Sequence, residues 1–426
     1  MTSKRTFLPP IINPLVVNTL WATFPMLMRW GGLSVRIDPE SLEKLKQYRG
    51  QRMLLLPNHP TGEEPIVLFE VFRWLREVAN FVAAREVFDW EHGFRGWLLR
   101  RVGAYSVIRG MADRESFMMS KKILMEGLHR LVIFIEGEIS RGVETLIPFE
   151  PGVIQLAFWA QEGLYKEAAK TKKHESGQTV KVNSTEAPAI YIAPVAIKYF
   201  YKPGSEAIQA QALLDLEKAV GLPTIPNVSM YQRIRNIGLK VLEVQENLHN
   251  LIPLPEVSLT QRVDAIKHRM LRKMELFLDL KPDPNTTTLN RLRDIRNIMD
   301  HLIHSYENPG SLTDYEKRMV DHLRLALSEY YRDLDRVVYF LTYNENTLQE
   351  HQSPERFIDA IRRLEREIYG KPRLTYQRVA HVRLGDIINL KDKFPEYELD
   401  KKNYAKTMAA ELEENMRLML VSITGQ

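Results

Sequence analysis

The chain has 426 residues, 44% hydrophobic and 27% charged, and no cysteine. Those proportions fit a folded soluble or peripheral protein, and the missing cysteine excludes disulfides, thiolate metal sites and cysteine nucleophiles. The net charge of +5 lies wholly in the first half: residues 1–200 carry 26 Lys/Arg and 21 Asp/Glu, and residues 201–426 carry 33 of each. That bias suits an anionic partner such as a phosphate or a membrane surface.

The first apolar stretch, Ile11–Trp30, is broken by Pro14 and Pro25 and carries Asn13, Asn18, Thr19, Thr23 and Arg29. It falls short of the ~20 apolar residues of a membrane span and lacks a signal-peptide cleavage site. Trp21, Phe24 and Trp30 with Lys4, Arg5, Arg29 and Arg36 suit a segment lying in a bilayer interface, and a helix packed on the protein's own core fits equally.

Residues 42–160 alternate strand and helix signals. Met53-Leu54-Leu55-Leu56 reads as a buried strand running into Asn58-His59-Pro60-Thr61-Gly62-Glu63-Glu64-Pro65, with Pro65 opening the next helix. A histidine with a carboxylate on a tight connection is how a chain presents a general base to a hydroxyl nucleophile. Further strands are expected at Phe81–Ala84, Tyr105–Ile108 and Leu131–Ile135, and helices at 94–102, 114–128 and from Gly152. The polar stretch Lys166–Glu186 reads as an exposed loop, and Ile190–Tyr199 as another buried strand. Strands alternating with helices of this length predict an α/β fold: a mixed, largely parallel sheet flanked by helices, with its site at the strand ends.

From 205 to 370 the pattern is helical. Leu289, Leu292, Ile295, Ile298 and Leu302 form one stripe, and Met319, Leu323, Leu327, Tyr330, Leu334, Val338 and Leu341 another. Ser311–Asp314 resembles a capping box, Ser353-Pro354 starts a helix and Gly370-Lys371-Pro372 ends it. His301, His304 and His322 read as polar helix faces, because no second ligand cluster stands at metal spacing. Strand character returns at Thr375–Leu384, and a last helix is expected over 403–421. No internal repeat or low-complexity tract stands out.

Four blocks then line up: Asn58-His59 with Glu64 and Pro65; Gly103 to Arg109; Phe134-Ile135-Glu136-Gly137-Glu138-Ile139-Ser140-Arg141; and Ile192 to Ile197 around Pro194. In this order the chain resembles the glycerolipid acyltransferase family, the one containing 1-acylglycerol-3-phosphate acyltransferase (PlsC-like), with support from Ala84-Arg85-Glu86 and Phe149-Glu150-Pro151-Gly152. It departs from the family pattern in Glu64 for Asp, Ser106 for Phe, Ile135 for Pro, Glu138 for Thr and Ile139 for Arg.

The resemblance implies acyl transfer from a thioester (acyl-CoA or acyl-carrier protein as co-substrate, with no bound cofactor or metal) to a hydroxyl of glycerol 3-phosphate or a lysophospholipid. His59 and Glu64 would be catalytic. Arg109, Glu136, Gly137 and Arg141 would bind substrate, Arg109 and Arg141 through the acceptor phosphate, with backbone N–H groups around Gly137 as candidates for the oxyanion. The tail Val382-Arg383-Leu384-Gly385-Asp386-Ile387-Ile388 resembles the family's closing strand. The expected organisation is therefore an N-terminal interfacial or core-packed segment (1–40), an acyltransferase domain (41–204 and 373–426) and a helical insertion (205–372), with an independent helical domain as the rival.

A cytoplasmic protein held peripherally on a membrane surface follows from the same resemblance. A catalytically weakened membrane adaptor, using the helical region for partner binding, is the alternative. Nucleic acid is not an expected partner, since no such motif appears, and the glycine patterns of phosphate-loop and Rossmann proteins are missing.

Overall fold

The computed structural model describes residues 7–108, 113–142, 144–176, 187–202, 204–252, 257–281, 283–305, 313–341, 353–373 and 376–424. The chain divides into two compact units, one of Phe7–Ile108, Asp113–Phe200 and Arg378–Gln426, the other containing Tyr201–Gln377.

The first unit begins with α1 (Pro14–Trp30), β1 (Leu33–Ile37), α2 (Pro39–Gln47), β2 (Arg52–Pro57), α3 (Glu64–Leu75) and β3 (Ala79–Ala84). A 3₁₀ segment (Arg85–Gly93) leads to α4 (Phe94–Arg101), β4 (Ala104–Val107), α5 (Arg114–Glu126), β5 (Arg130–Val132), α6 (Pro151–Ser176) and β6 (Ile190–Tyr201). The helical unit supplies α7 (Ser205–Ala219), α8 (Met230–Leu248), α9 (Leu259–Phe277), α10 (Thr288–Ser305), α11 (Asp314–Leu341) and α12 (Pro354–Tyr369). The chain then returns to the sheet with β7 (Arg378–Leu384) and β8 (Ile388–Asn389), followed by α13 (Leu390–Leu399) and α14 (Lys401–Ser422).

Among the described residues the sheet has eight strands in the order β1-β7-β6-β2-β5-β3-β4, with β8 antiparallel to β6. The pairs β1–β7, β2–β5, β2–β6, β3–β4 and β3–β5 are parallel. The fold is thus α/β with a mostly parallel sheet. Alternation along β2 explains its central place: Leu54 and Leu56 enter one core with α5, α6 and α14, and Met53 and Leu55 enter another with α1, α2 and α3. A strand buried on both faces has nothing polar to show until it ends. Asn58 and His59 are therefore presented at the carboxyl end of the middle strand.

Several expectations need correction. Residues Lys166–Ser176 continue α6 rather than forming a loop; Glu167, Ala168, Ala169 and Lys170 are good helix formers, and Glu162 pairs with Lys166 across one turn at 2.9 Å. The remainder of that stretch, 177–186, lies outside the described residues. β5 ends at Val132, not Ile135. The cap of α11 is Thr313, whose backbone N–H and hydroxyl donate to Glu316 at 2.7 and 2.8 Å; Ser311 is not among the described residues. In α10, Met299 is buried beside Leu289, Leu292 and Ile295, and in α11, Val320 is buried while Met319 is exposed. The helix α13 was not anticipated, because Pro395 breaks its pattern.

The helical unit also contains the repeat that the sequence reading missed. Ser229, Ser258 and Thr287, each 29 residues from the last, accept the N–H of Gln232, Gln261 and Asn290 and cap α8, α9 and α10. Gly221, Asn250 and Asp279, at the same spacing, adopt left-handed backbone, and the N–H of Leu222, Leu251 and Leu280 returns to the carbonyls of Glu217, Glu246 and Glu275. The side chains of those glutamates accept two-pronged hydrogen bonds from Arg233, Arg262 and Arg291, always sixteen residues on. The shared positions are few and scattered over each period, which hides the repeat from inspection.

This joint predicts a measurable effect. Arg262→Ala leaves Glu246, whose side chain is 3% exposed, without its counter-ion, at an expected loss of about 2–3 kcal/mol. Thermal unfolding of the full chain should show the helical unit's midpoint falling by about 5–10 °C. An unchanged midpoint would mean that the fork adds nothing to stability.

Candidate active site

The site is built at the carboxyl end of β2. Asn58 is 1% exposed, and its side-chain amide reads the backbone of β6: Oδ1 accepts from Ile197 N at 2.7 Å and Nδ2 donates to Ile197 O at 3.0 Å. With the strand end locked to its neighbour, the next residue, His59, has a set direction. Its backbone N–H donates to Glu136 Oε1 at 2.6 Å, and its carbonyl accepts from Ser140 N at 2.9 Å. The imidazole stacks on Phe134, with ring centroids 4.1 Å apart and planes 21° from parallel.

His59 Nδ1 lies 2.6 Å from Glu64 Oε2. Glu64 is the first residue of α3 and is fully buried. Its Oε2 also accepts from Gly62 N at 2.8 Å, and its Oε1 accepts from Thr61 N, Thr61 Oγ1 and Tyr199 Oη at 3.0, 2.5 and 2.8 Å. Burial pushes this carboxyl up, yet the hydrogen bond and charge of His59, with Thr61 and Tyr199, outweigh it and hold the group below the usual carboxylate range. The turn that allows this needs Gly62, whose φ is 93° and whose missing Cβ would lie 3.2 Å from Ile139 Cδ1. The neighbouring Glu63 points elsewhere, into a two-pronged pair with Arg378 of β7.

Glu136 is buried and turned inward. Its Oε1 holds His59 N and its Oε2 accepts from Ile147 N at 2.7 Å, so it braces the two segments that flank the site. Burial raises its carboxyl to about 8 against the pull of those two N–H groups, with the charges of Glu64 and Glu413 adding to the rise. Gly137 is exposed with φ 69°, and its own N–H donates to Phe134 O at 3.0 Å. That amide is committed to a turn, which leaves its neighbours on this segment as the N–H groups to consider for an oxyanion. Arg141 follows Ser140, is half-buried and also has left-handed backbone, φ 59°. Arg109 lies outside the described residues; before that segment Ile108 N donates to Asp113 Oδ2 at 2.8 Å.

The structure thus brings together His59, Glu64 and Glu136, with Gly137 and Arg141 on the same connecting segment. Sequence reasoning missed Thr61, Phe134, Ser140 and Tyr199. Tyr199 shares a strand face with Val195 and Ile197 by two-residue alternation, so its direction was readable, but its partner in α3 was not.

A parallel sheet that presents an imidazole backed by a buried carboxylate has the geometry needed to activate a hydroxyl group. Residues 36–198 match the family model described as Acyltransferase, and the chain carries an acyltransferase domain of the glycerolipid acyltransferase family. The match ends before the helical unit. No curated protein matches the chain.

Proposed function

We propose that the protein transfers a fatty acyl group from acyl-CoA or acyl-carrier protein to a hydroxyl of glycerol 3-phosphate or a lysophospholipid, in phospholipid synthesis or remodelling. The observation that carries this reading is the 2.6 Å contact between His59 Nδ1 and the buried Glu64 carboxylate. With Nδ1 held, Nε2 is the nitrogen that takes the acceptor's proton as its oxygen attacks the thioester carbonyl. Collapse of the tetrahedral intermediate breaks the carbon–sulfur bond, and the imidazolium returns the proton to the departing thiolate, so no net proton is gained or lost. Glu64 orients the ring and stabilises the imidazolium. Arg109 and Arg141 hold the acceptor phosphate, for which a guanidinium's fork is suited, and Glu136 braces His59 from within the fold.

Peripheral attachment to a membrane fits α1. Among its side chains only Val17 and Met28 are buried, while Leu15, Met26 and Trp30 are 76, 79 and 88% exposed next to Arg29. Among the described residues no helix is long and apolar enough to cross a membrane. The adaptor reading is weaker, since a protein that only docks has no need of a buried carboxylate clamped against an imidazole.

The test uses purified full-length protein, both thioester carriers, and acceptors with and without phosphate, assayed with and without vesicles of anionic phospholipid. Expected are thiol release that requires a phosphorylated acceptor, an ester product by lipid mass spectrometry, and sedimentation with the vesicles. Absence of thiol release across the panel would overturn the enzymatic reading, and activity and partitioning indifferent to vesicles would overturn the membrane part.

A further inference from the structure

The carboxylate behind His59 poses a positional problem. Glu64 stands where the family pattern has an aspartate, and the extra methylene gives the carboxylate one more torsion to settle before it can meet the imidazole. Four of its contacts are local: His59 Nδ1, Thr61 N, Thr61 Oγ1 and Gly62 N all come from the five residues before it. The Thr61 and Gly62 donors move with the turn that carries them, and the imidazole is the group the carboxylate has to meet, so none of the four sets the carboxylate against the sheet independently of the pair. The fifth donor is different. Tyr199 reaches Glu64 Oε1 from β6, 135 residues away, at 2.8 Å.

Tyr199 is itself fully buried, in the core that contains Val67, Leu68 and Phe72 of α3, so its ring has little freedom to move. The same strand fixes the end of β2 through Ile197 and Asn58. One strand therefore references both halves of the pair: His59 through Asn58, and Glu64 through Tyr199. The two carboxylate oxygens divide accordingly, Oε2 taking the imidazole and Oε1 taking the phenol.

We infer that Tyr199 is a positioning residue for His59, its phenol fixing the longer glutamate so that Oε2 lies against Nδ1. The inference rests on the general-base reading above. Burial and the nearby Glu64 charge keep the phenol's pKa well above its ordinary range, so it stays a donor. The titratable groups around the pair are His59 and Glu64 themselves, Glu63, which is paired with Arg378, and Glu136, which is bound to backbone N–H groups.

The test is Tyr199→Phe in the full chain, read in two ways. In acyl transfer, kcat should fall about 10–100-fold, the range for a hydrogen bond to a charged group, with KM for donor and acceptor unchanged. Loss of one donor makes Glu64 more basic and the imidazolium better stabilised, so the acid limb of the kcat profile should move to higher pH. NMR titration of the His59 ring, which needs no turnover, should move the same way. In a Glu64→Gln background the substitution should change neither.

An unchanged His59 titration together with a lowered unfolding temperature would mean that Tyr199 is merely structural and would overturn the inference. So would additive losses in the double variant. Incorporation of 3-fluorotyrosine at position 199 keeps the shape and strengthens the donor, and it should shift His59 to lower pH; no shift, or one upward, would also overturn it. If the wild-type protein transfers no acyl group, the proposed function fails, while the His59 titration still decides the role of Tyr199.

Discussion

His59→Ala is expected to lower acyl transfer by about 10²–10⁴-fold, the usual worth of a positioned general base. The fold should survive, because the backbone of His59 carries the structural contacts: its N–H to Glu136 and its carbonyl to Ser140 remain in the variant. The side chain, 16% exposed, contributes the Phe134 stack and the Glu64 contact. Its removal leaves Glu64 one donor short, so a loss of about 1–3 kcal/mol should accompany the loss of rate. The measurement is thiol release under saturating acyl thioester, with circular dichroism and thermal unfolding as controls. A folded variant that keeps most of its activity would rule out general-base catalysis by this residue.

Glu136→Gln is expected to change how stability depends on pH. The carboxyl is raised from an ordinary 4.5 to about 8, so between those values the native state holds a proton that the unfolded chain has released. Stability then falls as pH rises from about 4.5 through about 8 and levels off above, by a few kcal/mol in total, on the order of 1.4 kcal/mol per unit. A glutamine cannot titrate, and that slope should vanish. The amide can accept only one of the two backbone N–H groups from His59 and Ile147, so the variant should be roughly 1–3 kcal/mol less stable at pH 5. Because the wild type loses about 1.4 kcal/mol per unit and the variant does not, the two curves should cross between about pH 6 and 7.5. Urea unfolding at intervals from pH 5 to 8.5 measures this, and parallel curves would show that Glu136 is not the group responsible. Glu136→Ala removes both acceptors and frees the His59 backbone; a displacement of even ~1 Å there is worth about 10²-fold in rate.

Much of the α/β unit was legible because it rests on local signals. The apolar run Met53–Leu56 of β2, followed by Asn58-His59 and then Pro65, is a short-range pattern that sets strand, turn and helix within fifteen residues of sequence, and α4, α5 and β6 were readable in the same way. What failed did so for physical reasons. Lys166–Ser176 is polar enough to resemble a loop, yet its residues favour helix. Leu131–Ile135 is uniformly apolar, but pairing stops at Val132 and Phe134 turns toward the imidazole. The 29-residue repeat is carried by a glutamate, a leucine, a cap and an arginine per period, too sparse a set to notice without seeing that the arginines meet the glutamates.

The sequence by itself determined the α/β character, the delivery of His59 at a strand end and the spacing that makes Glu64 its neighbour, because each depends on residues close along the chain. Tertiary structure alone decided which groups surround that pair. Tyr199 and Glu136 come from 135 and 77 residues away, and Glu63 is diverted to Arg378 on a strand that re-enters the sheet after the helical unit. Such contacts depend on strand order and register, and no periodicity in a linear sequence encodes which distant side chain will face a given carboxylate.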